Sequence, residues 1–455
     1  MATMTRDTAA QTPPACNPLS WVTLDWATLD TQARLKALAR PQRRTALDVC
    51  EGVRRIFDDV GTRGGAAVTD WALKLDGAPP RRIAITDEVV AAARSDLAPA
   101  DTRAIRMAAE NIRIFHEATR PDDTPFIETT PGVRSRLAWR PIGTAGLYVP
   151  GGSAPLFSSL LMLAIPADVA GVRNRVAVTP PSKDGSVHPA MIMAAHEAGL
   201  DCLWLLGGAQ AIAALTFGVD LDDGRIDPCD KLFGPGNAWV AEAKKQANAR
   251  PGGPAVDMPA GPSELLVIAD SSADPEIAAA DLLSQAEHDR DAQVILVSTS
   301  RTSIEAILGA IETQLETLPR ADIARASLAE ARIIRVRNTQ EACTVSNLYG
   351  PEHLAIQTED ADELVDQITA AGAVFVGTHA AETLGDYAAG PSHVLPTDGG
   401  ARTLGGITTA SFMTSMSVQT VTRAGAAQLG PIAARLARLE GLEAHARAAD
   451  LRSGV

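Results

Sequence analysis

ELLVIADSSADPEIAAADLLSQAEHDRDAQVILVSTS, residues 264–300, decides the fold class. Its two ends, ELLVIAD (264–270) and AQVILVSTS (292–300), are apolar runs of strand length rich in Leu, Ile and Val. Between them, DPEIAAADLLSQAEH (274–288) carries apolar residues at helical spacing. A strand, a helix and a second strand make a crossover unit. Parallel strands in such units are covered on both faces, so they read as continuous apolar runs instead of alternating ones.

Outward from this stretch the format repeats. ARIIRVR (331–337), HLAIQT (353–358) and AVFVGT (373–378) read as further strands, with DADELVDQITAAG (360–372) as a helix. Upstream, RVAVTPP (175–181), CLWLLGG (202–208) and KLFGPG (231–236) read as buried strands. Each leads into a helix: PAMIMAAHEAG (189–199), AQAIAALTFG (209–218) and NAWVAEAKKQA (237–247). The Gly/Pro-rich RPGGPAVDMPAGPSE (250–264) separates the two runs. The fold class is therefore α/β, with two Rossmann-like parallel-sheet units of similar plan and small helical N- and C-terminal extensions. No fixed residue-level repeat proves a duplication. Residues from Trp21 to Glu117 read as mostly helical, and so does the Ala/Leu/Arg-rich tail from Thr403.

The chain has 455 residues, enough for two to four structural units and a large core. A formal net charge of −14 argues against nonspecific binding to nucleic acid or an anionic membrane. Five cysteines are scattered without a C-x-x-C pair, which makes a disulfide framework a poor reading and a reducing cytoplasm the better one. No charged-then-apolar signal pattern opens the chain, and no run reaches the length of a membrane span.

Chemistry concentrates in the second half. In DLLSQAEHDRD (281–291), Gln285 and His288 share a helix face, where two such donors suit a divalent metal; a polar helix end is the plainer alternative. Further donors stand at Glu352-His353 in GPEHL, at Asp386 and His393 in GDYAAGPSHVLPT, and at His445 in GLEAHAR. Adjacent carboxylate and imidazole at a strand mouth suit acid–base work near neutral pH. Three glycine turns (Gly151/Gly152, Gly207/Gly208, Gly234/Gly236) could admit a phosphate at a helix N-terminus, although none is G-x-G-x-x-G. Cys343 in EACTVSNL could be a thiol nucleophile, but its place on an apolar stripe reads better as core. His116, His188 and His196 read as solvated or structural.

Taken in order, GLYVPGGSAPLFSSLLMLAIPA, GGAQAIAAL, FGPGNAWVAEAK, DMPAGPSELLVIAD, DLLSQAEH, GPEHL, GDYAAGPSHVLPT and LEGLEAH closely resemble histidinol dehydrogenase. The resemblance runs from about Arg140 to Leu451. It implies a zinc-containing, NAD-dependent, four-electron homodimer that takes L-histidinol through an aldehyde to L-histidine, with one zinc per subunit. It implies zinc ligands Gln285, His288, Asp386 and His445, and the acid–base pair Glu352 and His353. Substrate would meet Ser263, His393 and Glu440 besides His353 and the metal ligands, and NAD would meet Tyr148, Gln210 and Asn237. Two stretches depart from the family pattern: AEHDRDAQ is charged where Gly-Pro is common, and GGARTLGGITTASF differs around a usually Ser-rich turn.

The expected organisation is a leader and helical arm to residue 45, then a first α/β domain of 46–147 plus 264–402 with most of the zinc and catalytic residues. A second α/β domain of 148–263 would hold NAD, and the tail 403–455 would pack on the partner subunit. Two rival readings are a related dehydrogenase of another small alcohol, such as a sulfonated diol, and a non-catalytic metal- or nucleotide-binding protein. The intact Glu352-His353 pair disfavours the second.

Overall fold

The computed structural model describes residues 19–41, 47–151, 155–258 and 261–454; the expected leader falls almost wholly outside them. Two units emerge. The first comprises 19–40, Gly261–Ala381 and Thr397–Arg402. Its six-stranded sheet runs in the spatial order Thr23–Asp25, Arg332–Arg335, Gln293–Ser298, Glu264–Ala269, His353–Gln357, Ala373–Val376, all parallel. Every residue of Glu264–Ala269, Gln293–Ser298 and His353–Gln357 is buried, which is why these strands read as unbroken apolar runs. The helix Pro275–Ala286 connects the first two. Asp274 caps it by accepting from the N–H groups of Glu276 and Ile277, and Pro275 occupies a first-turn position that needs no donor.

The second unit gathers the described residues of Pro41–Ala260, Glu382–Pro396 and Thr403–Val455. Its main sheet runs Ala255–Val256, Lys231–Phe233, Thr144–Tyr148, Asn174–Thr179, Cys202–Leu205, Arg81–Ala84, parallel except for the last strand. Numbered by chain position within each crossover run, both sheets have the order 3-2-1-4-5 with one added edge strand. The second unit also holds a three-stranded antiparallel sheet in which Met413–Val421 lies along Val133–Pro141.

Several expectations change. The region 46–147 does not join 264–402: Val53, Phe57 and Val68 pack in one core with Trp204, Leu215 and Val240, because the amphipathic helix Leu47–Arg63 needs the apolar helices after residue 207 to cover it. Asp386 and His393 also lie in the second unit, against the helix Pro99–Ala118, where Asn111 Nδ2 donates to the Ala388 carbonyl at 2.9 Å. The tail is not wholly helical, since the β-branched, alternating TSMSVQTV first forms the strand Met413–Val421. Residues 360–372 yield only the turns Ala361–Leu364 and Val365–Gln367; Val365, Ile368 and Thr369 disfavour a longer helix before the strand at Ala373. Thr23–Asp25 and Arg81–Ala84 are edge strands inside a region expected to be helical.

Candidate active site

In the first unit the sheet hydrogen bonding brings Glu352 and His353 onto one residue. The N–H of Glu264 donates to Glu352 Oε2 at 2.8 Å, and the Glu264 carbonyl meets His353 Nδ1 at 3.2 Å. A carbonyl only accepts, so Nδ1 carries the proton and the basic lone pair belongs to Nε2. Glu352 and His353 are both buried, with 3.7 Å between Oε2 and Nδ1, and the His353 ring stacks on Phe375. This arrangement can take a proton at Nε2 and keep a carboxylate beside it.

Gln285 lies in the last turn of the helix Pro275–Ala286 and is fully buried. Neither its amide oxygen nor its nitrogen has a hydrogen-bond partner among the described residues. An orphaned buried amide is costly, and a cation on its oxygen would relieve that cost, so the residue fits an implied metal. His288 follows just past the helix end and is exposed, while Ser263, half-buried, precedes the strand Glu264–Ala269. The negative end of the helix dipole favours a cation there.

The other expected ligands belong to the second unit. Asp386 lies in the short helix Glu382–Tyr387, and its carbonyl meets His393 Nδ1 at 2.7 Å. His393 is thus in the same tautomer as His353, and its Nε2 accepts from the buried Ser159 hydroxyl at 3.1 Å. Glu440 caps the helix Arg423–Leu439, and His445 lies in the first turn of Glu443–Ser453. Gly441, at φ +75°, breaks the helix between them, and both side chains are exposed.

All three NAD candidates stand at the carboxyl ends of strands in the second unit's sheet. Tyr148 ends Thr144–Tyr148, Gln210 opens the helix after Cys202–Leu205, and Asn237 caps the helix after Lys231–Phe233. The strand order reverses between Thr144–Tyr148 and Lys231–Phe233, the place where open α/β sheets bind ligands. Gly234 has φ +112°, and a Cβ there would sit 1.9 Å from the Tyr148 carbonyl oxygen, so no larger residue fits. Asp257 accepts from the Gly234 N–H at 2.7 Å and pairs with buried Lys244, which pins this loop. Asp76 accepts from the Gly207 N–H at 3.0 Å and from Gln210 Nε2 at 3.1 Å. Burial raises the Asp76 pKa, against the pull of those two hydrogen bonds. Burial also pushes Tyr148 up to about 12, and its neutral hydroxyl accepts from Gly208 N–H at 3.3 Å. Gln210 Oε1 is buried and has no hydrogen-bond partner among the described residues, which leaves an acceptor for a ligand hydroxyl.

Cys343 is 2% exposed and burial raises its pKa, which is the wrong direction for a thiolate nucleophile. His116 is buried and held neutral, its pKa lowered to about 4 by desolvation. Sequence reasoning missed Ser159, Asp76 and Glu264. Only Glu264 left a trace, as a lone carboxylate heading an otherwise apolar strand.

The sequence model of the histidinol dehydrogenase family matches residues 38–453. A histidinol dehydrogenase from Xanthomonas oryzae pv. oryzae is 48% identical over 95% of this chain and 99% of its own length. One from Xylella fastidiosa is 46% identical over 431 residues, 95% of this chain and 99% of its own length. The crystal structure of histidinol dehydrogenase from Elizabethkingia anophelis superposes with a TM-score of 0.88 at 40% identity, covering 93% of this chain and 96% of that one.

Proposed function

This chain belongs to the histidinol dehydrogenase family and is a dehydrogenase of histidine biosynthesis, and we propose that it oxidises L-histidinol through L-histidinal to L-histidine with zinc and two NAD. The observation that carries the two-step reading is the Glu352–Glu264–His353 arrangement, which supplies a base of fixed tautomer and a separate carboxylate. His353 Nε2 takes the alcohol proton as hydride leaves the carbinol carbon. Glu352 takes a proton from water as its oxygen adds to the aldehyde carbon, and the resulting hydrate loses the second hydride. A positioned base of this kind contributes about 10²–10⁴-fold in rate.

Gln285, His288, Asp386 and His445 would hold the zinc, which when bound supplies a Lewis-acidic clamp for the substrate's amine and imidazole nitrogens. Ser263, His393 and Glu440 would complete the substrate contacts, and Tyr148, Gln210 and Asn237 those to NAD. In this reading His445 and Glu440 come from the partner subunit of a homodimer. The support is that both are exposed on the tail and that Leu439 and Leu451 beside them are 73% and 82% exposed, an apolar face unlike that of a self-contained helix pair. The compartment expected is the cytoplasm. Among the described residues no helix is long and apolar enough to cross a membrane.

The deciding experiment counts NADH against histidine during steady-state turnover of L-histidinol, before and after chelation of the metal. Two NADH per histidine and loss of turnover on chelation are expected. One NADH with released aldehyde, or full turnover in the metal-free protein, would overturn the reading. Faster oxidation of a sulfonated diol in the same assay would favour the related-alcohol alternative.

A further inference from the structure

Glu264 is fully buried, and its side chain is as thoroughly held as its backbone. Arg40, at the end of the N-terminal arm, grips it through two parallel bonds, Nε to Oε1 at 2.5 Å and Nη2 to Oε2 at 2.7 Å. Oε1 also accepts from the Asp398 N–H at 3.1 Å. Arg40 is itself fixed from the other side: its guanidinium lies 3.8 Å from the Tyr349 ring centroid, and Nη2 donates to the Gly350 carbonyl at 3.2 Å. The arm is tied down in turn by Arg332, whose Nη2 donates to the Ala39 carbonyl at 2.6 Å.

A buried carboxylate is expensive unless paired, and a bidentate Arg fixes its orientation as well as its charge. Here the fixed residue is the one whose N–H and C=O hold Glu352 and His353. We propose that Arg40 and Glu264 form the positioning element of the acid–base pair: the ion pair locks the Glu264 backbone, which holds the Glu352 carboxylate and keeps His353 in its Nδ1–H tautomer. Neither Arg40 nor Glu264 exchanges a proton with substrate. The inference rests on the reading of Glu352 and His353 as the acid–base pair. Its physical content is that an arm distant in sequence sets the geometry of the reacting residues.

The test uses the full-length enzyme with Arg40→Lys, Glu264→Gln and His353→Asn. Lysine keeps the positive charge but loses the fork and the stack on Tyr349. In Arg40→Lys and Glu264→Gln, kcat should fall about 10–100-fold, the scale expected for sub-ångström to ångström misplacement, while KM for histidinol and NAD stays within about twofold. The acidic limb of the kcat–pH profile should move to lower pH, because a loosened Nδ1–H···O=C bond favours the imidazolium less. Nitrogen-15 NMR of histidine-labelled protein should show a mixture of tautomers at His353, its signal identified by its disappearance in His353→Asn.

A folded Arg40→Lys enzyme with unchanged kcat, unchanged acidic limb and a single Nδ1–H tautomer overturns the proposal. So does failure of Arg40→Lys to fold, since the pair would then be a folding element. If His353→Asn instead keeps normal turnover, the acid–base reading itself is wrong, and the two failures are told apart.

Discussion

The two α/β units share a strand order but carry their candidate site residues at opposite ends of their sheets. In the second unit the candidate NAD residues stand at the carboxyl ends of strands, where Gly208–Phe217 and Ala238–Asn248 begin. Helix N-termini present N–H groups and positive partial charge, which suit a pyrophosphate. In the first unit the candidate catalytic residues stand at the amino end: His353 opens its strand, and Gln285 sits at the close of a helix. That end presents carbonyls and negative partial charge, which suit a cation and fix imidazole N–H donors. One architecture thus provides one end whose electrostatics suit an anion and one whose electrostatics suit a cation, with the candidate residues at the strand termini distinguishing them.

The sharpest way to break this contrast is to remove the base from the amino end. His353→Asn should lower kcat about 10²–10⁴-fold for both histidinol and histidinal. Glu352→Gln should harm histidinal oxidation more than histidinol oxidation, since only the former needs an activated water. Equal losses on both substrates would contradict that division.

At the opposite end, Gly234→Ala should cost about 3–4 kcal/mol in denaturant unfolding. The added Cβ would overlap the Tyr148 carbonyl at 1.9 Å, and the backbone there has φ +112°. KM for NAD should rise while metal content at saturating zinc stays normal. A parallel loss of metal would mean the two ends are not independent.

The units should also answer pH in opposite directions. His116, in the second unit, has its pKa lowered by burial from 6.5 to about 4. The unfolded chain binds its proton first, so stability present above pH 6.5 is lost as pH falls toward 4. Asp281, in the first unit, has its pKa raised by burial from its ordinary 3.8 to about 6, although Gln357 donates to it at 2.6 Å. Its contribution is complete below 3.8 and is lost as pH rises through about 6. Each effect amounts to about 3 kcal/mol. His116→Asn should flatten the acid loss in melting temperature. Asp281→Asn should flatten the loss with rising pH, and finding no change in either slope would remove the contrast.

The smallest effect is expected from Cys343→Ser. It should leave turnover within about threefold and cost about 1 kcal/mol of stability, the price of a buried hydroxyl without a designed partner. A folded variant about a hundredfold slower would revive a thiol mechanism.

The chain's sequence determined the crossover units by itself, because strands buried on both faces must be continuously apolar and the helices between them must be amphipathic or apolar. ELLVIAD, AQVILVSTS and HLAIQT could be read as strands without any knowledge of their neighbours. The candidate acid–base pair and the candidate metal donors were likewise legible as residue types, and their roles remain proposals. Tertiary structure alone decided which strands adjoin, and therefore that Glu264 and not a nearer residue holds Glu352 and His353, 88 and 89 positions away. It also decided that 46–147 packs with the second unit, that Ser159 serves His393, and that Arg40 neutralises Glu264. These are long-range pairings of hydrogen-bonding groups and charges. Local periodicity records whether a residue is buried, but it does not record which partner meets it there.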